Sequence, residues 1–171
     1  FEDLFLAQNF FPTRSQGERL DASRGVLLKG HGTENFTVLE SGRSGINLAG
    51  DQRAAVSGDF DRDGMSDLVV TRNSGKTGLF LNQAQGIGLR VIVQGPAGNP
   101  HGIGSVLRLK YHDGMGPARQ ITGSSGYRSQ GSSIQVLHAT RPVESVWIQK
   151  PDGKILTHEI KKGTHEVRIT Y

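Results

Sequence analysis

Apolar and polar side chains alternate at every second position along much of this chain. The segment SVLRLKY (105–111) places Leu107, Leu109 and Tyr111 on one face, with more polar positions between them. The same period recurs in three later segments, VWIQ around Trp147, KILTHEI from Lys154 and EVRITY from Glu166. A period of two is that of a β-strand with one buried face, and no segment keeps the 3.6-residue period of an amphipathic helix. The pattern predicts an all-β fold.

Turn signals separate these runs. They are HDG at 112–114, PDG at 151–153 and KG at 162–163. Proline presets φ for a turn, and glycine accepts a positive φ. The chain has 24 glycines, about twice the average share of ~7%, so we expect many tight turns between short strands.

A weak internal repeat divides the chain. LFLAQ at 4–8 returns as LFLNQ at 79–83, where it follows an aspartate-rich loop, a strand and a turn. Radially repeated β-propeller blades would explain such a unit. After QAQGIG (83–88) the strands are longer and no acidic loop occurs. We therefore predict terminal propeller blades over residues 1–85 and a C-terminal β-sandwich-like module, or a partly open barrel, over 88–171.

Composition and charge exclude several classes of protein. The net charge is +4 and the pI about 9.6, but the 20 lysines and arginines are spread thinly, without the basic stripe of a nucleic-acid-binding protein. The chain has no cysteine, which excludes disulfides and thiolate metal sites. No apolar run approaches the ~20 residues of a membrane span. The opening apolar stretch lacks an initiator methionine, so we expect a fragment of a longer propeller protein.

The stretch SGDFDRDGMSDLVV (57–70) contains the strongest candidate chemistry. Its spacing is D-x-D-x-D-G-x-x-D, and carboxylates so spaced converge when the backbone curls, with Gly64 allowing the sharp bend. Hard oxygen ligands of this kind suit Ca²⁺. The predicted ligands of the loop 59–67 are the carboxylates of Asp59, Asp61, Asp63 and Asp67 and the main-chain carbonyl of Met65.

Electrostatics favour a bound cation in this loop. Two carboxylates ~4 Å apart repel by about 1 kcal/mol in water and by ~4 kcal/mol at an effective dielectric constant near 20. The loop is not an EF-hand, because Val70 occupies the twelfth position and a β-run follows instead of a helix. The alternative interpretation is a solvated acidic turn without a metal.

Two resemblances to known families cover roughly residues 1–171. GDFDRDGMSDLVV followed by LFLNQ resembles an FG-GAP (VCBS-type) repeat, the calcium-loop blade of integrin-α-like β-propellers, whose ligand positions correspond to the five residues above. NPHGIGSVLRL, SGYRSQGS and VESVWIQKPDGK are similar, in order, to motifs of the ASPIC/UnbV domain, which follows FG-GAP repeats in cartilage-acidic-protein-like proteins. The chain departs from that pattern at 137–139, where LHA replaces G-L-G, and at Trp147, which is displaced from its turn.

These observations predict a non-catalytic, calcium-stabilised binding or adhesion module that is secreted, periplasmic or on the cell surface. Its expected partners are the remaining propeller blades and a protein or carbohydrate ligand. Tyr127 and Arg128 form a possible ligand lip, since aromatic and guanidinium planes stack well. Two alternatives stay open. One is a carbohydrate-processing enzyme, which needs two facing carboxylates such as Glu144 and Glu159; the other is a purely structural propeller cap.

Overall fold

The computed structural model describes residues 2–8, 24–32, 35–139 and 141–171, and within them the protein is nearly all β. The strands form four separate sheets, none of which closes on itself in the described ranges. The all-β prediction is confirmed. Propeller blades and a sandwich-like module stay predictions. No helix of the described residues combines the length and apolar character needed to cross a membrane.

The described residues form two compact units. The first comprises residues within 2–56, 68–80 and 126–129, and the second comprises 57–67, 81–125 and the described part of 130–171. The aspartate-rich loop thus packs with the second unit. The domain limits expected from the sequence, 1–85 and 88–171, stay a prediction.

Two three-stranded sheets account for most of the first unit. One has the antiparallel order β1–β2–β3, with β1 at Leu4–Leu6, β2 at Val26–Gly30 and β3 at Phe36–Leu39. The other has the order β4–β5–β6, with β4 at Gln52–Gly58, β5 at Asp67–Arg72 and β6 at Gly75–Phe80. A four-residue helix, α1 at Ser41–Ser44, ends at Gly45 with a left-handed φ of 71°.

Two further sheets make up the second unit. The first has the order β11–β7–β14, with β7 at Ile87–Gln94, β11 at Gln135–Ala139 and β14 at Glu166–Thr170. In this sheet β14 runs parallel to β7 and β11 runs antiparallel to it. The second has the order β10–β8–β12–β13, and β9 also pairs with β8. Its strands are β8 at Val106–Tyr111, β9 at Gly114–Met115, β10 at Arg119–Gln120, β12 at Ser145–Gln149 and β13 at Ile155–Glu159.

Alternate side chains from both sheets of the second unit meet in one hydrophobic core. Leu107, Leu109 and Tyr111 of β8 are buried, as their alternation predicts, while the residues between them are more exposed. The core also contains Val91 of β7 and Ile169 of β14. Burying each such aliphatic side chain contributes about 1.5–3 kcal/mol. Strand β7 is the central strand of its sheet and contributes buried side chains to this core. It also carries part of the candidate site.

Candidate metal centre

The aspartate-rich loop joins the end of β4 to the start of β5. Two of its residues have left-handed backbone, Arg62 with φ 65° and Gly64 with φ 87°. Glycine adopts this conformation without strain, and other residues adopt it rarely. The sharp bend predicted at Gly64 is confirmed, and Arg62 adds a second left-handed residue close to it.

Carboxylates of the loop hydrogen-bond to its own backbone. Asp61 Oδ1 accepts the N–H of Asp63 at 3.2 Å, and Asp63 Oδ1 accepts the N–H of Met65 at 2.8 Å. Asp59 Oδ2 accepts the N–H of Gly64 at 3.1 Å. Short aspartate side chains commonly stabilise turns in this way. The alternating aspartates therefore stabilise the bend of the loop and also give it negative charge.

Three of the four predicted carboxylates converge. One oxygen from each of Asp59, Asp61 and Asp67 lies within 4.8 Å of the others. Asp63 is exposed and does not belong to this cluster of three. The side chain of Met65 is buried, and the role predicted for its carbonyl stays a prediction. We call Asp59, Asp61 and Asp67 the aspartate triad.

Asp67 is the most constrained member of the triad. It is 2% exposed. Its Oδ2 accepts the N–H of Phe60 at 2.8 Å, and its Oδ1 accepts the N–H of Asn82 at 2.9 Å. The carboxylate thus ties the start of the loop to the residues that follow β6. Asp67 stabilises the local fold whether or not a metal is bound.

An arginine from β7 contacts the triad, and the sequence patterns did not predict it. Arg90 Nη1 forms an ion pair with Asp59 Oδ2, and Arg90 Nε pairs with Glu166 Oε2 at 3.2 Å. The side chain of Asp59 is 1% exposed and that of Arg90 is 12% exposed. The hydrogen bond to Asp59 is the main cause that raises the pKa of Arg90, and burial opposes it. The hydrogen bond from Arg90 likewise lowers the pKa of Glu166.

The tip of the loop lies directly against β7. An added Cβ on Gly88 would overlap the carbonyl oxygen of Gly64, and one on Gly64 would lie 3.2 Å from the carbonyl oxygen of Gly88. Such close backbone approach requires glycine on the strand side. The contact places the loop beside Arg90, two residues further along β7.

One oxygen of the triad is left unsatisfied. Asp59 Oδ1 is buried and finds no hydrogen-bond partner among the described residues. Buried polar atoms without partners are uncommon in native proteins, and an ion at the site is one explanation. The ionised triad carries three negative charges and Arg90 supplies one positive charge. Arg90 therefore offsets only part of the negative charge of the triad, and a divalent cation would offset more of it. The all-oxygen donor set fits Ca²⁺ or Mg²⁺ better than zinc.

The predicted ligand lip, Tyr127 and Arg128, lies in a tight turn of the first unit. Gly126 and Ser129 pair across this turn as an isolated antiparallel bridge. Tyr127 is 67% exposed, and the guanidinium carbon of Arg128 lies 5.5 Å from the centre of its ring. Arg128 has a left-handed φ of 51°. The two side chains are therefore together and accessible, and their role in binding a ligand stays a prediction.

A polar cavity of about 130 Å³ occurs in the second unit. Hydroxyl, carboxamide and guanidinium groups dominate its lining, and Ile134 and Val136 add an apolar part. Among the described residues, no aspartate or glutamate lines it. Its polar side chains are Ser57, Ser66, Arg119, Gln120, Thr122, Ser125, Ser132 and Gln135.

The acidic residues considered for catalysis, Glu144 and Glu159, lie outside this cavity, as does Asp113 in the turn after β8, and all three are exposed. Glu144 is 44% exposed and lies 3.5 Å from His112, and Asp113 is 62% exposed and pairs with Arg141 at 3.1 Å. Glu159 is exposed on β13. The described acids of the second unit therefore do not form a pair of carboxylates in the cavity.

The comparisons add no relative. A scan against models of protein families found no match to this sequence, and a search of curated proteins found none. The resemblances to FG-GAP repeats and to the ASPIC/UnbV domain stay predictions that depend on the motifs quoted above.

Proposed function

We propose that this chain is a non-catalytic binding or adhesion module, stabilised by one Ca²⁺ in the loop 59–67. The observation that carries the proposal is the aspartate triad, in which a buried oxygen of Asp59 has no hydrogen-bond partner among the described residues and one oxygen from each carboxylate lies within 4.8 Å of the others. A dication would supply the missing partner and offset the repulsion among the carboxylates. Without one, the repulsion within the triad opposes the closed loop.

Asp59, Asp61 and Asp67 are the residues that would hold the ion. Asp59 has its Oδ1 available, since Oδ2 is engaged by Arg90 and Gly64. Asp63 and the carbonyl of Met65 are further ligands in this proposal, as in the FG-GAP resemblance. The ion would act structurally, by joining the two ends of the loop. Extracellular calcium modules commonly bind with Kd on the order of 10⁻⁴ to 10⁻³ M. A secreted, periplasmic or cell-surface location therefore accords with a filled site.

The architecture we propose follows the same resemblance. The loop 59–67, strand β5, a turn and strand β6 follow one another along the chain, which is the order of elements that the FG-GAP resemblance implies. The two sheets of the second unit, which share one core, support a sandwich-like ASPIC/UnbV module. The remaining propeller blades of a longer protein would be its neighbours.

The polar cavity favours a carbohydrate over an apolar ligand. Hydroxyl and carboxamide groups hydrogen-bond to sugar hydroxyls, and the guanidinium of Arg119 suits a negatively charged sugar. Among the described residues, no aspartate or glutamate lines the cavity, whereas glycoside hydrolysis requires two facing carboxylates, and we therefore propose binding without catalysis. A glycan array probed with the wild type, Arg119→Gln and Arg128→Gln tests this assignment. Loss of binding in R119Q alone assigns the cavity, and loss in R128Q alone assigns the turn of Tyr127. No glycan bound by the wild type would contradict a carbohydrate ligand.

Thermal melting of chelator-treated protein tests the calcium site. At a calcium concentration a hundred times Kd, the gain in stability is ~2.7 kcal/mol, and the melting temperature of a chain of this size rises by roughly 5–10 °C. The variant Asp61→Asn should lose this gain, because Asn retains an oxygen acceptor for the N–H of Asp63 but lacks the charge.

The matched control for this experiment is Asp152→Asn. Asp152 Oδ1 also accepts an N–H two residues ahead, that of Lys154 at 3.1 Å, but it lies outside the triad. This variant should respond to calcium as the wild type does. An equal response of D61N and the wild type would contradict the proposed site.

A further inference from the structure

The pairing of Arg90 with Asp59 indicates how the cation site is controlled. We infer that Arg90 is a resident counter-ion of the aspartate triad, so that the guanidinium and a divalent cation stabilise the same buried carboxylate and Arg90 weakens binding of the cation. This inference rests on the proposed calcium site. It goes beyond that site by assigning control of its affinity to a residue 31 positions away along the chain.

The position of Arg90 is fixed from several directions. Its N–H donates to the carbonyl of His165 at 2.9 Å, and it lies opposite Glu166 in the parallel pairing of β7 with β14. Glu166 also pairs with Arg168, whose Nη2 lies 3.1 Å from Glu166 Oε1. The guanidinium therefore reaches Asp59 from the central strand of a packed sheet, and not from a mobile loop.

The burial of Asp59 makes its counter-charge necessary. An ionised carboxylate that is almost fully buried is strongly destabilised unless a charge or hydrogen-bond donors compensate it. Asp59 has two such partners in the described chain, Arg90 and the N–H of Gly64, and both contact Oδ2. Its Oδ1 has none. The guanidinium thus compensates one oxygen, while the other is free to bind a cation.

Two cations that stabilise one carboxylate weaken each other's contribution. The arginine lies at hydrogen-bond distance from Asp59, so its charge repels a dication bound by the same side chain. By thermodynamic linkage, the amount by which Arg90 weakens calcium binding equals the amount by which calcium weakens the stabilising effect of Arg90. Arg90 stabilises the loop without calcium, and removal of Arg90 makes the loop depend on calcium.

The geometry also favours arginine over lysine in this role. Arg90 directs Nη1 to Asp59 and Nε to Glu166 at the same time. A lysine ammonium is a compact charge that cannot reproduce this planar, two-sided arrangement. Glu166 thereby holds the guanidinium in the orientation in which it meets Asp59.

The test compares calcium titrations of wild type, Arg90→Gln and Arg168→Gln, followed by calorimetry and by thermal melting in chelator and in excess calcium. R90Q should melt below the wild type in chelator and gain more from calcium than the wild type does. It should bind calcium about 5- to 150-fold more tightly, the usual range of coupling between two sites. R168Q removes the other arginine that pairs with Glu166 and leaves the pair of Arg90 with Asp59 in place. Its calcium affinity should therefore stay within about twofold of the wild type. The calcium affinity and the melting temperature of Arg90→Lys should lie between those of R90Q and the wild type. If R90Q folds neither in chelator nor in excess calcium, the calcium affinity of Arg90→Lys tests the inference in its place.

Different results separate the failure of this inference from the failure of the proposed site. Calcium binding by the wild type with equal or weaker binding by the Arg90 variants would overturn the inference alone. Absence of any calcium response in the wild type and in the Arg90 variants would overturn the calcium site and the inference with it. A response that appears only in R90Q or R90K would support the inference and show that Arg90 serves as the counter-ion in place of calcium.

Discussion

Asp67 and Asp61 belong to the same acidic cluster, but their surroundings differ. Asp67 is buried and accepts two main-chain hydrogen bonds, from Phe60 and Asn82. Asp61 is exposed and accepts one, from Asp63 within the loop. Asp67 therefore supports the local fold in addition to its place in the proposed cation site, whereas Asp61 accepts a hydrogen bond only within the loop. The two residues should differ in what they contribute to stability without a metal.

Asp67→Ala should lower the free energy of unfolding by about 2–4 kcal/mol even in chelator, because two partly buried N–H groups lose their acceptor. Asp61→Ala should change it by no more than about 0.5 kcal/mol in chelator, as is usual for an exposed position. Urea denaturation of both variants in chelator measures the difference. Equal stabilities of the two variants would contradict the structural role of Asp67.

Glu166 should titrate below its ordinary pKa of 4.5, mainly because Arg90 donates a hydrogen bond to its carboxylate. A lowered pKa in the folded state means that the contribution of Glu166 to stability is complete above its pKa in the unfolded chain. That contribution is lost as the pH falls through the lowered value. NMR titration of the glutamate carboxyl groups checks this. In Arg90→Gln the pKa of Glu166 should move back towards 4.5, and an unchanged value in that variant would show that Arg90 is not the cause.

The loop and strand β7 are joined by the contact of Gly64 with Gly88. Gly88→Ala should lower the free energy of unfolding by at least about 2 kcal/mol, because the added methyl group overlaps the carbonyl oxygen of Gly64 and neither backbone can move freely. Gly98→Ala is the matched control, since a Cβ at Gly98 meets nothing within 4 Å. Urea denaturation should show that variant to be as stable as the wild type or slightly more stable. Equal effects of the two substitutions would contradict the close contact.

Strands with one buried face were predictable from alternation, and their pairing was not. The period of two in β8, β12, β13 and β14 reflects burial on one face, which the chain encodes locally. The parallel pairing of β14 with β7 joins residues about 76 positions apart, such as Arg90 and Glu166, and no local pattern encodes it. The helix α1, at Ser41–Ser44, was also missed. Four residues are too few to show a helical period.

At the scale of the whole molecule, the difference between local patterns and long-range pairing explains which residues of the candidate site could be predicted from the sequence. The triad Asp59, Asp61 and Asp67 was predictable because its members lie within nine residues and curl around one point. Arg90 was not, because it reaches Asp59 only after β7 has been placed at the centre of its sheet. The alternation around Arg90 shows a polar residue between the buried Leu89 and Val91. That pattern alone does not predict which carboxylate the arginine pairs with.

The second unit combines the loop, its counter-ion and a shared hydrophobic core. A cation bound to the loop would therefore stabilise more than the strand that follows it. Through Arg90 and Gly88, the loop is in contact with the central strand of the sheet β11–β7–β14. We therefore expect calcium to raise the temperature at which the second unit melts cooperatively, in addition to ordering the loop.

Isothermal calorimetric titration of calcium into chelator-treated protein decides whether the loop 59–67 binds a divalent cation. We expect one binding event per chain in the wild type, with Kd on the order of 10⁻³ M or below, and none in Asp61→Ala. No binding by the wild type at millimolar calcium, or identical binding by the wild type and Asp61→Ala, would contradict it.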